Sequence, residues 1–409
     1  MTENENNKPS RLQFRIDIIL SVLFIIMIFF FGIMTAVTKW SEIDEHARKM
    51  KYLEPYLEDA NDYSAWDMLA ARVKSIDSYL AGNLYGATEL GYVNSSMQYA
   101  MGKRMITTGS QNMVKLNSGH LYDLQNYVSM DASADSIVAL KERIPADTQF
   151  LFVYEHPTVY HADQMPEGYD VLDHSTEIAD EITSKLRDRG VEVMDSREVL
   201  NATGMELSEF LYRTDQHWST RAAITMAQAI SQKLGLDYKK LDIDRFDTET
   251  YEKLFMGKYG QRIGTLNIDP DDVTIYWPKY PTQIHRYTNY LGEITDLTGS
   301  FKESVIRWKY LQPDKGKTWN KKAYYDYGLV ENLDIYTNAN GPDYTILLLK
   351  DSYSAPIGSF LSLTAGKVIA SDMRRSYQTV EEMIEEYHPD AVVVAYSMQM
   401  LRDDDYEFQ

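Results

Sequence analysis

Apolar residues along this chain fall into three patterns, and the first is an unbroken run. Residues Ile18 to Val37 read IILSVLFIIMIFFFGIMTAV, twenty residues without one charge. At 1.5 Å per residue a helix of that length spans about 30 Å, the hydrocarbon thickness of a bilayer. Lys8, Arg11 and Arg15 precede it, and the positive-inside rule assigns that side to the cytoplasm. A cleaved signal peptide would have a shorter apolar core and a small-x-small site behind it. Here Thr38-Lys39-Trp40-Ser41 follows, and Trp40 suits an interfacial anchor. The expectation is a cytoplasmic segment over 1–15 and an uncleaved transmembrane anchor over 16–38. The remainder, about 370 residues, would then lie outside the cytoplasm with no second span.

The second and third patterns alternate with each other. Residues 39–105 read as a juxtamembrane helical region, with helical spacing around Trp66–Leu80. Beyond it, short apolar runs of strand length occur at 113–116, 149–154, 191–195, 344–350, 367–371 and 391–396. Between them lie helix-period stretches at 134–143, 176–189 and 221–234, after Pro356, and from Thr379. Ile178, Ala179, Ile182 and Leu186 share one helix face, which Gly190 closes. Ser219 reads as an N-cap with Gly235 past the end, and Thr379-x-x-Glu382 as a capping box. Strands alternating with helices predict a mostly parallel sheet covered on both faces. Residues 239–340 break that rhythm and read as a strand- and loop-rich insertion containing Tyr276, Trp277, Trp308, Tyr310, Trp319, Tyr324 and Tyr325. The α/β domain would thus be assembled from 106–238 and 341–409.

Charge and composition mainly exclude. With 61 acidic against 41 basic residues the net charge is −20, which lacks the basic footprint a nucleic-acid partner needs. There is no cysteine, so thiol chemistry, disulfides and Cys-ligated zinc are ruled out. The 31 tyrosines and 6 tryptophans fit two roles equally: stacking on sugar rings, or packing within a strand-rich insertion.

Two short segments carry the candidate chemistry. Thr214-Asp215-Gln216-His217-Trp218-Ser219 leads into the 221–234 helix, and Lys350-Asp351-Ser352-Tyr353-Ser354 follows the 344–349 run directly. In a parallel sheet the carboxyl ends of strands line the ligand crevice, and Ser352 sits at such an end. A serine hydroxyl needs a neutral imidazole to take its proton, and a carboxylate to hold that imidazole in the right tautomer. In an extended loop Asp215 reaches the His217 ring, because i and i+2 side chains point the same way. The candidate catalytic set is Ser352, His217 and Asp215, with a backbone N–H near Ser352 beginning an oxyanion hole. On spacing alone His217 reads equally as a structural histidine packed beside Trp218.

Other residues have their own readings. Tyr353, Arg374 and Trp218 are candidates for substrate or oxyanion support. Arg374 and Arg375 would hold a sugar or acyl oxygen, or form surface salt bridges. Ser354 offers a second hydroxyl, and Asp351 is expected to cap or orient the turn. His156, His161 and His174 lack compact metal-ligand spacing, so structural or solvent roles are expected. Asp215 and His217 have no third spaced ligand, and neither a metal nor a cofactor is expected.

TDQHWS (214–219) and LLLKDSYS (347–354) together resemble the DHHW family and the alginate O-acetyltransferases of the SGNH-hydrolase-like superfamily. Phe255-Met256-Gly257-Lys258-Tyr259…Gly264 is similar to a Phe-x-Gly stretch found between those motifs, and the N-terminal anchor also matches. One departure is Gln216, where the family pattern has histidine, but that position is not the catalytic imidazole. The resemblance implies an SGNH-hydrolase-like parallel sheet flanked by helices. It implies an acetyl-serine at Ser352, His217 as base and Asp215 as its orienter. It also implies a polysaccharide acceptor and a polytopic membrane-bound O-acyltransferase partner passing acetyl outward. An esterase with the same triad and a non-catalytic glycan-binding scaffold are the alternative readings.

Overall fold

The computed structural model describes residues 11–48, 66, 73–74, 76–77, 79–80, 84–108, 111–156, 164–205, 207–290, 293–328, 333–402 and 408. Within the expected helix at 66–80 the described positions are helical; its other positions, His161 and the first ten residues lie outside the described residues. The chain divides into two compact units, Met1–Asn94 and Ser95–Gln409.

In the first unit, helix α1 (Arg11–Arg48) holds the apolar run. Within its segment Arg15–Trp40 an 18-residue stretch has a mean hydropathy of 2.9, and apolar side chains such as Ile19, Leu23, Phe24 and Ile26 are exposed all along it. Its length and composition suit a membrane anchor or a signal sequence.

The second unit is built on one eight-stranded sheet. A three-stranded antiparallel sheet comes first: β1 (Met105–Thr108), β2 (Gln111–Lys115) and β3 (Leu121–Asp123). Then come β4 (Gln149–Glu155) and β5 (Val193–Asp195), followed by a separate two-stranded ribbon, β6 (Phe246–Phe255) with β7 (Asp271–Pro278). The remaining strands are β8 (Ile284–Tyr290), β9 (Glu293–Gly299), β10 (Leu333–Asn338), β11 (Thr345–Lys350), β12 (Lys367–Ser371) and β13 (Ala391–Ser397). The large sheet runs β5-β4-β13-β11-β12-β10-β8-β9. Its first five strands are parallel, and its last three are antiparallel.

The parallel strands are continuous apolar runs because both faces are covered. Alternate residues separate into two cores. Ile346 and Leu348 of β11, with Ala391, Val393 and Ala395 of β13, join one core, packed by Ala222, Met226 and Ile230 of α4 (Thr220–Lys233). Leu347, Leu349, Val392 and Val394 join the other. There they meet Ile137 and Leu140 of α2 (Asp131–Arg143) and Ile178, Ile182 and Leu186 of α3 (Ser175–Asp188). Caps close these helices as the sequence predicts. Ser219 accepts from the Ala222 N–H, and Thr379 with Glu382 forms a capping box. Gly190 and Gly235 both adopt positive φ, which a Cβ would strain.

Two of the predicted strands shift by two residues. β5 begins at Val193 instead of 191, because the Val191 N–H bonds back to the Leu186 carbonyl and closes α3. β2 spans 111–115 instead of 113–116, because the Leu116 N–H turns to the His120 carbonyl. The strand-rich stretch 239–340 forms strands as expected, yet β8, β9 and β10 extend the main sheet beside β12.

Candidate active site

The two segments singled out in the sequence meet at the carboxyl end of β11. The Ser352 Oγ lies 2.9 Å from the His217 Nε2, although 135 positions separate them. The other ring nitrogen, Nδ1, is hydrogen-bonded to the Asp215 Oδ1. A carboxylate can only accept, so Nδ1 carries the proton and Nε2 is left to accept from the serine hydroxyl. The three groups open onto a cleft of about 430 Å³.

Asp215 is held ionised although it is buried. Its Oδ1 also accepts from the His217 N–H at 3.1 Å, and its Oδ2 from the Lys258 N–H at 2.6 Å. Burial alone would push the carboxyl up; the His217 ring and these N–H donors more than offset that and hold it below its ordinary value. The donor from Lys258 requires a close backbone approach. A Cβ on Gly257 would stand 2.2 Å from the Asp215 Cβ, so only glycine fits. Lys258 opens the helix α5 (Lys258–Ile263), whose Gly260 N–H donates to the Thr214 carbonyl at 2.8 Å. Immediately before Asp215, the Asp271 carboxylate accepts from the Arg213 N–H (3.0 Å), the Thr214 N–H (2.8 Å) and the Thr214 hydroxyl (2.6 Å). The Phe-x-Gly stretch is therefore the cradle of the Asp215 loop.

Two tyrosines pack against the His217 ring. Tyr324 stacks on it, with centroids 4.1 Å apart and planes 21° from parallel, and Tyr353 lies at 4.9 Å. The Tyr324 hydroxyl also reaches the carbonyls of Ser352 (2.9 Å) and Tyr353 (2.7 Å). One residue of the insertion thereby registers the imidazole against the serine turn.

That turn is held by its own neighbours. Asp351 Oδ1 accepts from the Tyr353 N–H at 2.8 Å, and Oδ2 from the Ser397 N–H at 2.9 Å and the Ser397 hydroxyl. This is the orienting role expected of Asp351. The expected substrate contacts of Trp218 and Tyr353 need correction. Trp218 is fully buried and donates from Nε1 to the Tyr353 carbonyl at 3.0 Å. Tyr353 is buried and donates its hydroxyl to the Gln216 carbonyl. Neither lines the cleft; their aromatic bulk is spent tying the two motifs together. Ser354 is wholly buried, its Oγ 2.6 Å from the Glu155 Oε1 and 2.9 Å from the Ala395 carbonyl, so it is inaccessible as a nucleophile.

Arg374 does line the cleft, but a two-pronged bond to Asp372 (2.9 and 2.6 Å) anchors its guanidinium. Beside it on the rim stand Arg375, Lys258 and Lys321. Four cations border the opening of a chain whose net charge is −20. Of the scattered histidines, His174 pairs with Glu177 at 2.9 Å, and His156 is buried against the Tyr154 ring.

Sequence reasoning missed Tyr324, Asp271 and Glu155. Asp271 and Tyr324 carry no local signal, because their partners lie 57 and 28 positions away or more. Glu155 did carry a faint one, being a charged residue ending the apolar run FLFVYE.

A family model described as SGNH hydrolase-like domain, acetyltransferase AlgX, matches residues 142–284. Two solved structures share the fold. A DHHW family protein from Eubacterium siraeum aligns with a TM-score of 0.59 at 19% identity, covering 74% of this chain and 96% of its own. PatB1 of Bacillus cereus, solved with a sulfonyl adduct, aligns with a TM-score of 0.59 at 16% identity, covering 74% and 100%. No curated protein matches the chain. The matched stretch contains Asp215 and His217 and resembles an SGNH hydrolase-like domain of the AlgX type, while the two solved structures share the fold.

Proposed function

We propose that this chain, with its SGNH hydrolase-like domain of the AlgX acetyltransferase type, is an O-acetyltransferase acting on a polysaccharide outside the cytoplasm. The observation that carries the reading is the Asp215–His217–Ser352 chain of hydrogen bonds, 2.9 Å at its serine end and open to a cleft of about 430 Å³. His217 Nε2 takes the Ser352 proton as Oγ attacks the acetyl carbonyl of the donor. The same imidazolium then protonates the departing donor oxygen, leaving acetyl-serine. A sugar hydroxyl gives its proton to His217, attacks the acetyl carbon, and Ser352 Oγ leaves with that proton. One acetyl group moves from donor to glycan and no cofactor is consumed. The Ser352 N–H, which has no partner among the described residues, is the donor available to the developing oxyanion; that of Tyr353 is already used by Asp351.

The N-terminal helix would anchor the enzyme, with the SGNH-like domain beyond the membrane. A membrane-bound O-acyltransferase would then supply acetyl from the cytoplasmic pool. The rim formed by Lys258, Lys321, Arg374 and Arg375 fits a glycan bearing anionic substituents, since these cations stand apart from the chain's overall negative charge.

The test is intact-protein mass after incubating the full chain with an activated acetyl ester, with and without oligosaccharide. An acetyl adduct on Ser352, absent in Ser352→Ala and discharged onto the oligosaccharide, is the expected result. Discharge to water alone, unaltered by any glycan, would make the protein an esterase. No adduct under any condition would leave a glycan-binding scaffold.

A further inference from the structure

Beneath the serine turn lies a group that the acetyl transfer described above does not use. Glu155 is the last residue of β4 and is wholly buried. It pairs in register with Ser397 of β13, and Lys350 of β11 pairs with Ala395, so the ends of three neighbouring parallel strands converge here. Asp351 already takes three donors, the pattern of an acceptor-only carboxylate. Glu155 has no such set. Its Oε2 is buried without a hydrogen-bond partner among the described residues, its Oε1 lies 2.6 Å from the Ser354 hydroxyl, and the Asp351 carboxyl stands beside it.

The proton count decides what Glu155 is. Ser354 has one hydroxyl hydrogen and two oxygens within reach, Glu155 Oε1 and, at 2.9 Å, the Ala395 carbonyl. A carbonyl cannot donate. If the hydroxyl hydrogen goes to Ala395, the short contact to Glu155 is a hydrogen bond only when Glu155 supplies the proton. If the hydroxyl hydrogen goes to Glu155 instead, Oε2 is left buried beside Asp351, and an ionised Glu155 would set two carboxylates against each other, which is costly to hold. We propose that Glu155 is a neutral carboxylic acid hydrogen-bonded to Ser354 Oγ, fixing the turn that presents Ser352; it is a positioning residue. Burial first, and then the neighbouring Asp351, push its carboxyl well above the ordinary range, in agreement with the geometry. The other titratable groups facing it are Lys350 and Tyr324; His156, next in sequence, turns onto the Tyr154 ring instead.

Glu155→Gln tests this in the full chain, because the carboxamide keeps a donor and cannot ionise. A carboxyl raised above its ordinary 4.5 when folded binds a proton that the unfolded chain has released. Its favourable contribution is complete below that value and is lost as pH rises toward the folded one. Between pH 4.5 and 8 the wild type should therefore lose melting temperature relative to Glu155→Gln, the gap widening by several degrees. A constant gap, or a wild type that gains with pH, means a charged Glu155 held by Lys350 and overturns the proposal. This measurement stands whether or not the protein transfers acetyl groups. The positioning role rests on the acetyltransferase reading and is read from turnover. Glu155→Gln should keep kcat within about threefold, while Glu155→Ala loses roughly tenfold with KM unchanged. Equal losses in both variants would sink it; where Glu155→Ala does not fold, Glu155→Gln against wild type decides alone.

Discussion

The imidazole loop and the serine turn meet at 2.9 Å but are supported from opposite kinds of structure. Ser352 stands at the end of a parallel strand, supported by Asp351 from that same strand end and by Ser397 and Glu155 from the ends of β13 and β4. His217 stands on a loop whose supports are supplied from sequence beyond it: the Gly257–Lys258 peptide, Asp271 on the β6–β7 ribbon, and Tyr324. Each side also has a buried carboxyl, and the two behave oppositely. Asp215 is surrounded by donors and is held below its ordinary value, whereas Glu155 has few and is pushed well above it. Burial is common to both; Asp215 faces the His217 ring and N–H donors, whereas Glu155 faces the Asp351 carboxyl. The lesson is that strand ends can hold a nucleophile cheaply, while the base needs an inserted region built around it.

That contrast can be broken at several points. The largest effect is expected from Asp215→Asn, which leaves the shape but removes the group that selects the His217 tautomer; serine acylation should fall about 10³- to 10⁴-fold. Since Asp215 is depressed when folded, its contribution to stability is present above its ordinary 3.8 and lost as pH falls through the lower folded value. The melting-temperature advantage of wild type over Asp215→Asn should accordingly be full at neutral pH and vanish in strong acid.

Gly257→Ala should come next. Its added methyl would overlap Asp215, at a cost of about 1–3 kcal/mol and roughly a hundredfold in acylation rate, without touching the serine turn. A rate near wild type would mean that the loop does not depend on the inserted region. Tyr324→Phe keeps the ring stacked on His217 and deletes only the hydroxyl bridging the two sides. A loss of about 1 kcal/mol, near fivefold in rate, is expected, measurable by stopped-flow release of an acetyl ester. The smallest effect belongs to Arg375→Ala on the rim. KM for an anionic oligosaccharide should rise about threefold and become less salt-sensitive, with a neutral acceptor unaffected. A change with both acceptors alike would remove the electrostatic argument.

Much of the fold was legible because it is local. The apolar runs at 344–350, 367–371 and 391–396 became β11, β12 and β13 with boundaries shifted by a residue at most. The caps at Ser219 and Thr379 formed as their side chains dictate. The antiparallel continuation of the sheet was not legible, because alternation along β8 or β10 says nothing of which strand lies beside it. Trp218 and Tyr353 illustrate the same limit within the site. An aromatic next to a reacting residue suggests substrate contact, yet burial turned both into struts between the motifs.

The amino-acid sequence by itself determined which segments would be strands and helices, where the apolar helix lies, and that a serine, a histidine and an aspartate sit in loops fit for chemistry. Hydrophobic period and capping chemistry act over a few residues, so a linear reading captures them. Only the tertiary structure decided that these side chains converge, which aromatic locks the imidazole, and which carboxyl keeps its proton. Those outcomes depend on strand register, backbone approach at Gly257 and the donors reaching each buried oxygen, all set by residues distant along the chain.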